Sequence, residues 1–294
     1  MEQLLKNKVA VITGGSRGLG LAIAQTYARA GAKVVIASRS QASVLYALDV
    51  LKAEGSQAVG MACDVANLQQ VEELAELAIK SFGRIDIWVN NAGVSGPYGP
   101  TAHVPASDFS SVINTNIIGT YNGSVTALRY MLSQKSGKLI NLLGRGDTGS
   151  IIFQNAYTSS KVWVRNFTKT LANEYQKSGV DIFGFNPGLV RTDMLGQVQA
   201  IAGFEEKVKS IRVIAALWGN EADIPAQQAL LLASSHTDGK NGKMYKVLTP
   251  IFMLRRLFTT GLPMLFHTPV RLMELNISTV EPILDPVLID NRKY

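Results

Sequence analysis

The feature that most restricts the fold is a run of residues 8–38 in which an apolar strand, a glycine-rich turn, a helix and a second apolar strand follow one another. Residues 8–13 (Lys-Val-Ala-Val-Ile-Thr) have the unbroken hydrophobicity of a strand covered on both faces, and residues 19–30 are rich in Ala, Leu and Ile. Residues 34–38 (Val-Val-Ile-Ala-Ser) close a β-α-β unit. The alternation continues with helices over about 41–54 and 67–81 and strands over 57–62 and 85–89. A long helix over about 107–133, a strand at 138–143, a helix over 156–175 and a strand at 180–185 follow, and Tyr245-Lys246-Val247 is the last expected strand. Strands separated by helices predict an α/β fold with a doubly wound, right-handed parallel sheet of Rossmann type. Residues 1–248 read as one domain, and residues 249–294 as a C-terminal extension.

Composition excludes several classes. With 294 residues and 47% hydrophobic content the chain can bury a full core. Cys63 is the single cysteine, so no intrachain disulfide forms, and no Cys/His cluster has metal-ligand spacing; a reducing compartment and a metal-free site are expected. The first residues lack a signal-peptide h-region, and no stretch of about 18 apolar residues spans a bilayer, which gives a cytoplasmic protein as the expectation. The net charge of +7 comes from scattered Lys and Arg, with no basic stripe or reading helix for nucleic acid. A polyanionic cofactor accounts for that charge.

The turn Thr13-Gly14-Gly15-Ser16-Arg17-Gly18-Leu19-Gly20 lies where a glycine turn binds phosphate, after a strand and before a helix. Glycines let the backbone approach a pyrophosphate closely, and the helix N-terminus offers free N–H groups and positive potential. Gly14, Ser16, Arg17, Gly18, Leu19 and Gly20 are the candidate contacts. At the end of the second strand stand Ser38 and Arg39, where a carboxylate would select NAD by bonding the ribose 2′-hydroxyl. Two cations, Arg17 and Arg39, and no carboxylate predict NADP(H). As a solvated loop residue, Arg39 would carry no such meaning.

Tyr157 and Lys161 are four residues apart, on one face of the helix predicted over 156–175. Such a pair is ordinary helix surface unless its surroundings say otherwise. A tyrosine titrating near pH 10 moves protons at neutral pH only with a neighbour that stabilises its charged form, and Lys161 is placed to be that neighbour.

The chain resembles the short-chain dehydrogenase/reductase family over roughly residues 6–247. The resemblance rests on the glycine turn, Cys63-Asp64-Val65, Asn90-Asn91-Ala92-Gly93, Asn116 followed by Gly119, Tyr157 with Lys161, and Asn186-Pro187-Gly188 with Thr192. It implies that Asp64 and Val65 bracket the adenine, that Asn90, Ala92 and Gly93 line the cofactor together with Pro187 and Gly188, and that Val190 and Thr192 hold the carboxamide. The implied reaction is hydride transfer between nicotinamide and a carbonyl/alcohol substrate. Tyr157 would exchange the proton, Lys161 would lower its pKa and bond the ribose, and Asn116 would hold a relay water. A homo-oligomer, dimer or tetramer, is the corresponding expectation for assembly.

The family usually places a serine thirteen positions before the tyrosine, and here that position is Gly144. Losing a preorganised donor costs about two to three orders of magnitude where the donor is essential. Three explanations stand: Ser150, Thr148 or Asp147 reaches the substrate instead; Gly144 makes room for a bulky substrate; or the chain is an NADP-binding regulatory or scaffold protein with little turnover. Arg145 beside it either reads an acidic substrate group or is a surface cation. Residues 193–220, the region that the resemblance implies closes over the substrate, place Met194, Leu195, Val198, Ile201, Phe204, Val208, Ile211, Ile214, Leu217 and Trp218 at helical spacing, which suits either a partly apolar lid over a sizeable, partly apolar substrate or ordinary helix packing against the core. In the extension, Pro250–Phe258 and Gly261–Phe266 are apolar with Arg255 and Arg256, which suits packing on the body, a partner subunit or peripheral membrane contact.

Overall fold

The computed structural model describes residues 3–261 and 274–283. Its first half runs β1 (Val9–Thr13), α1 (Gly18–Arg29), β2 (Lys33–Ser38), α2 (Gln41–Ala53), β3 (Ala58–Ala62), α3 (Leu68–Phe82) and β4 (Ile87–Asn90). There follow α4 (Ala106–Ile113), α5 (Gly119–Gln134), β5 (Gly137–Leu142), α6 (Asn155–Glu174) and β6 (Val180–Asn186). The remainder is β7 (Leu189–Val190), α7 (Asp193–Gly196), β8 (Gln197–Ile201), α8 (Glu205–Lys209), α9 (Ile211–Trp218), β9 (Gly219–Asn220), α10 (Asp223–Ala233), β10 (Met244–Lys246), α11 (Pro250–Arg256) and β11 (Asn276–Val280).

Seven strands form one sheet in the order β3-β2-β1-β4-β5-β6-β10, every pairing parallel. Strand residues alternate between two apolar layers. Ile12, Ile36, Val89 and Phe183 pack under α1, α2 and α10, while Val11, Val35, Trp88 and Ile182 pack under α3, α5 and α6. Both faces are therefore buried, as the unbroken apolar strands require. Fully buried side chains such as Trp88, Tyr27 and Phe183 each contribute roughly 2–3 kcal/mol. The Tyr27 hydroxyl reaches across to α10 and donates to Ala229 O at 2.9 Å, so the phenol is satisfied where it is buried.

The chain winds outward from β1 in both directions, and the strand order reverses between β1 and β4. The carboxyl ends of β1, β4 and β5 thus border a crevice, the place where open α/β sheets bind ligands. Ser40 caps α2 through its Oγ, which accepts from Ser43 N at 3.3 Å and fixes the turn that displays Arg39.

Three features differ from the sequence-based expectations. The helix expected over 107–133 is split by a π-helical turn, Asn114–Ile118, between α4 and α5. A π turn is rare and marks a place where the helix register must shift to aim a side chain, here the buried Asn116. The lid is not purely helical: α7 is followed by β8, because an edge is offered on which β8 can pair. In the extension, β11 pairs in parallel with β8, Asn276 opposite Gln197 through Val280 opposite Ile201. The apolar stretch expected after Gly261 lies outside the described residues from Leu262 onward. Among the described residues, no helix is long and apolar enough to cross a membrane.

Candidate active site

One cavity of about 530 Å³ runs from the glycine turn to the lid. Of the residues singled out in the sequence, Gly14, Ser16, Arg17, Gly18, Leu19, Gly20, Ser38, Arg39, Asp64, Val65, Ala92, Gly93, Gly144, Arg145, Tyr157, Lys161, Pro187, Gly188, Val190 and Thr192 all line it. Strand ends and the loops that follow them supply nearly every one, so residues far apart in the chain meet in one crevice.

The phosphate end is shaped by what is missing. Gly14 and Gly18 have φ of +63° and +54°, values that L side chains rarely adopt. A Cβ on Gly20 would stand 2.1 Å from Gly14 O, so the turn closes on itself only with glycine there. Arg17 is the N-cap of α1 but makes no side-chain cap bond, which leaves the first N–H groups facing the cavity. A dinucleotide pyrophosphate fits such a cradle. Asn91, within the segment Asn90–Gly93 expected to line the cofactor, lines the cavity and donates from Nδ2 to Thr13 O (2.9 Å) and Gly14 O (3.1 Å), tying the end of β4 to the turn.

Asn90, by contrast, does not reach the cavity. It is 4% exposed, accepts from Trp88 Nε1 at 2.8 Å and donates to Asn141 Oδ1 at 2.8 Å and Ser124 Oγ at 3.0 Å. A buried amide with that many partners is held beneath the sheet end, and the neighbouring Asn91 is the one that lines the cavity.

Around Tyr157 the elements converge. Lys161, 6% exposed, lies one turn further along α6 with Nζ 5.7 Å from the Tyr157 ring centroid, and donates to Leu142 O at 3.0 Å. The Ser160 hydroxyl donates to Tyr157 O at 2.6 Å and accepts from Asn116 Nδ2 at 3.0 Å. Asn116 also grips Val94 at both ends, accepting from its N–H at 2.9 Å and donating to its carbonyl at 3.0 Å. Asn116 therefore sits behind the cavity wall rather than in it. A Cβ on Gly93 would fall 3.3 Å from Asn116 Oδ1 and 3.7 Å from Lys161 Nζ, so glycine keeps the gap between them open.

Burial lowers the Lys161 pKa to about 8, partly offset by the carboxylate of Asp147. Burial also pushes the Tyr157 phenol up, and nearby Tyr98 and Asp147 push it further, while the Arg145 cation pulls it down. The Lys161 ammonium bonds a backbone carbonyl, and burial is the largest influence on the phenol. What the site stabilises is the neutral phenol, the proton-donating form.

At the serine position the outcome is steric. A Cβ on Gly144 would lie 2.3 Å from Tyr157 Oη and 3.2 Å from Cζ, so the phenol occupies the space a side chain would need. None of the three candidate replacements faces it. Ser150 and Thr148 line a separate cavity at the start of α6, with Ile152 and Val162. Asp147, 3% exposed, accepts from Arg165 Nη1 at 2.7 Å and from Asn186 Nδ2 at 3.0 Å, an ion pair turned into the protein. Arg145 does face the cavity, as do two unanticipated polar groups, Tyr98 and Gln154. No local pattern marks Tyr98; it arrives by a bridge to Ala200 in β8.

The lid closes the far end with Leu195, Val198, Ile211 and Ile214. Across the mouth, Arg17 Nη1 lies 3.9 Å from Asp193 Oδ2, an exposed pair of little energetic weight that brings α7 over the phosphate turn. Among the described residues, no group of three or more His, Cys, Asp or Glu side chains is placed to hold a metal.

Comparison with known proteins agrees with this geometry. The family model for short chain dehydrogenase matches residues 8–202. A probable chlorophyll(ide) b reductase from Oryza sativa subsp. japonica is 36% identical over 204 residues, 63% of this chain, and the match spans 40% of the length of the rice protein. The 3-oxoacyl-[acyl-carrier-protein] reductase of Vibrio cholerae is 30% identical over 249 residues, 83% of this chain and 99% of that one. The crystal structure of an actinorhodin polyketide ketoreductase with NADPH superposes with a TM-score of 0.75 at 25% identity, covering 84% of this chain and 97% of that one.

Proposed function

The chain belongs to the short chain dehydrogenase family of oxidoreductases, and from that premise we propose that it is an NADP(H)-dependent reductase of a sizeable, partly apolar carbonyl compound. The observation that carries the reading is Tyr157 and Lys161 at one end of a cavity whose other end is the glycine turn, with Ser160 and Asn116 hydrogen-bonded behind them.

When bound, NADPH supplies the hydride. Gly14, Gly18 and the N–H groups opening α1 would hold its pyrophosphate, and Arg39 with Arg17 would bind the 2′-phosphate, where guanidinium is favoured. Tyr157, kept neutral by burial, donates its Oη proton to the substrate oxygen. Lys161 then restores the proton, and the gap at Gly93 gives room for a water between Lys161 Nζ and Asn116 Oδ1. Because Tyr157 fills the space beside Gly144, a second donor to the substrate oxygen would come from Tyr98, Gln154 or Arg145, which also line the cavity. The apolar lid excludes water and favours a substrate with a hydrocarbon portion.

The test is NADPH oxidation across diacetyl, ethyl acetoacetate and an oxooctanoyl thioester. Tyr157→Phe should lower kcat by about a thousandfold while leaving NADPH affinity within about threefold, since the substitution removes only the proton in flight. Tight NADPH binding without turnover in the parent chain would instead support a binding or regulatory role.

A further inference from the structure

Lid strand β8 is paired along both edges. On one edge Tyr98 N–H donates to Gln199 O at 2.9 Å and Ile201 N–H donates to Tyr98 O at 2.8 Å. On the other edge lies β11, from the C-terminal extension, with Ala202 N–H donating to Val280 O at 3.0 Å. The side chains follow the backbone. Val198, Ala200, Val208 and Ile211 are buried in one small cluster with Leu275, and Tyr98, Leu195 and Ile277 pack against it. Tyr98, Leu195, Val198 and Ile211 of that cluster also line the substrate end of the cavity.

The contact continues toward the reacting atoms. Gly99 N–H donates to Phe153 O at 3.0 Å, four residues before Tyr157, and a Cβ on Gly99 would lie 2.4 Å from Ile201 Cγ1. Two further bonds hold the extension in place: Arg212 Nη2 donates to Leu275 O at 3.3 Å, and Ile283 N–H donates to His103 O at 3.2 Å. A two-stranded pairing is marginal by itself, and a strand stripped of a partner exposes a row of unpaired N–H and C=O groups. Without β11, β8 would keep, among the described residues, only its bridge to Tyr98.

We propose that residues 275–280 are a working part of the substrate lid: a strand supplied from the end of the chain that fixes β8, and through Tyr98, Gly99 and Phe153 holds the cavity mouth beside Tyr157. Substrate then meets a preformed apolar wall, and the ordering cost of the lid does not fall on binding. Ile277 and Ser278 are positioning residues, since they act through Val198 and the β8 backbone.

Val280 O accepts from β8, so by the two-residue alternation of a strand Ser278 turns its backbone to the same edge. Its side chain is exposed, which allows Ser278→Pro to remove a ladder donor without disturbing the core. The test is amide hydrogen exchange over residues 197–201 in the full-length protein without substrate, for Ser278→Pro, Ile277→Asp and the control Ser278→Ala. Exchange should quicken about tenfold or more in the first two and stay unchanged in the control, with β1 amides unaffected in all three. With the oxooctanoyl thioester as probe, KM should rise about tenfold while kcat and NADPH affinity stay within about twofold. Unchanged exchange in both disruptive variants overturns the proposal, and so does faster exchange with an unchanged KM. The kinetic arm rests on the oxidoreductase reading. A parent chain with no turnover would remove that reading while the exchange result still decides whether the extension holds the lid.

Discussion

The two ends of the cavity are built on opposite logic. At the phosphate end, one continuous segment from β1 to β2 provides the cradle, its glycines are required by its own backbone, and any side chain at Gly20 would strike Gly14 O within the same turn. At the other end, the walls come from different parts of the chain, Gly144 after β5, Tyr98 after β4 and the segment after β6, which is backed in turn by the extension. A local site is specified by local sequence and tolerates little change. A site assembled from distant segments can be changed one segment at a time, and here it combines a glycine beside Tyr157 with a strand from the extension paired to β8.

The contrast can be broken most forcefully at the cofactor end. Arg39→Asp should weaken NADPH binding by about a hundredfold, through loss of a guanidinium–phosphate contact and gain of repulsion, while NADH binding changes little. Fluorescence titration of both nucleotides checks this, and equal weakening of the two would remove the assignment to NADP(H).

A smaller effect is expected at the substrate end. Restoring the familiar residue by Gly144→Ser should lower kcat about tenfold rather than raise it, because the new Cβ falls 2.3 Å from Tyr157 Oη and the phenol must move. Gly144→Ala should do the same. A faster Gly144→Ser enzyme would mean that Tyr157 yields readily and that the glycine serves something other than its placement.

The smallest effect concerns stability. The Lys161 pKa lies at about 8 against an ordinary 10.5, so the folded protein disfavours the ammonium. The cost is complete below about pH 8 and disappears as pH rises toward 10.5, the range in which the unfolded chain binds the extra proton. Lys161→Met should therefore abolish turnover yet stabilise the protein at pH 7 by a net ~1–2 kcal/mol, after the bond to Leu142 O is lost. Thermal melts at pH 7 and pH 10 check the sign: the gain should shrink at the higher pH.

Much of the molecule was legible from residue order alone. Apolar strands buried on both faces, the turn at residues 13–20 and the i,i+4 spacing of Tyr157 and Lys161 are short-range patterns whose geometry follows from strand and helix periods. Of the segment Asn90–Gly93, Asn90 alone does not line the cavity, because the strand end alternates faces, sending Asn90 inward to Asn141 and Asn91 to the cavity. The π turn at Asn114–Ile118 left no mark in the pattern, since a one-residue register shift hardly alters helical periodicity.

The sequence by itself determined the parallel sheet, the glycine turn between β1 and α1 and the placing of Tyr157 one helical turn before Lys161, because each rests on contacts within a few residues or on a periodic burial pattern. Only the tertiary structure decided that Tyr157 fills the space beside Gly144, that Asp147 and Ser150 turn elsewhere, and that the chain's far end supplies a strand to the lid. Those outcomes depend on which distant segments come within a few ångströms of one another, and such proximity is set by packing of the whole chain.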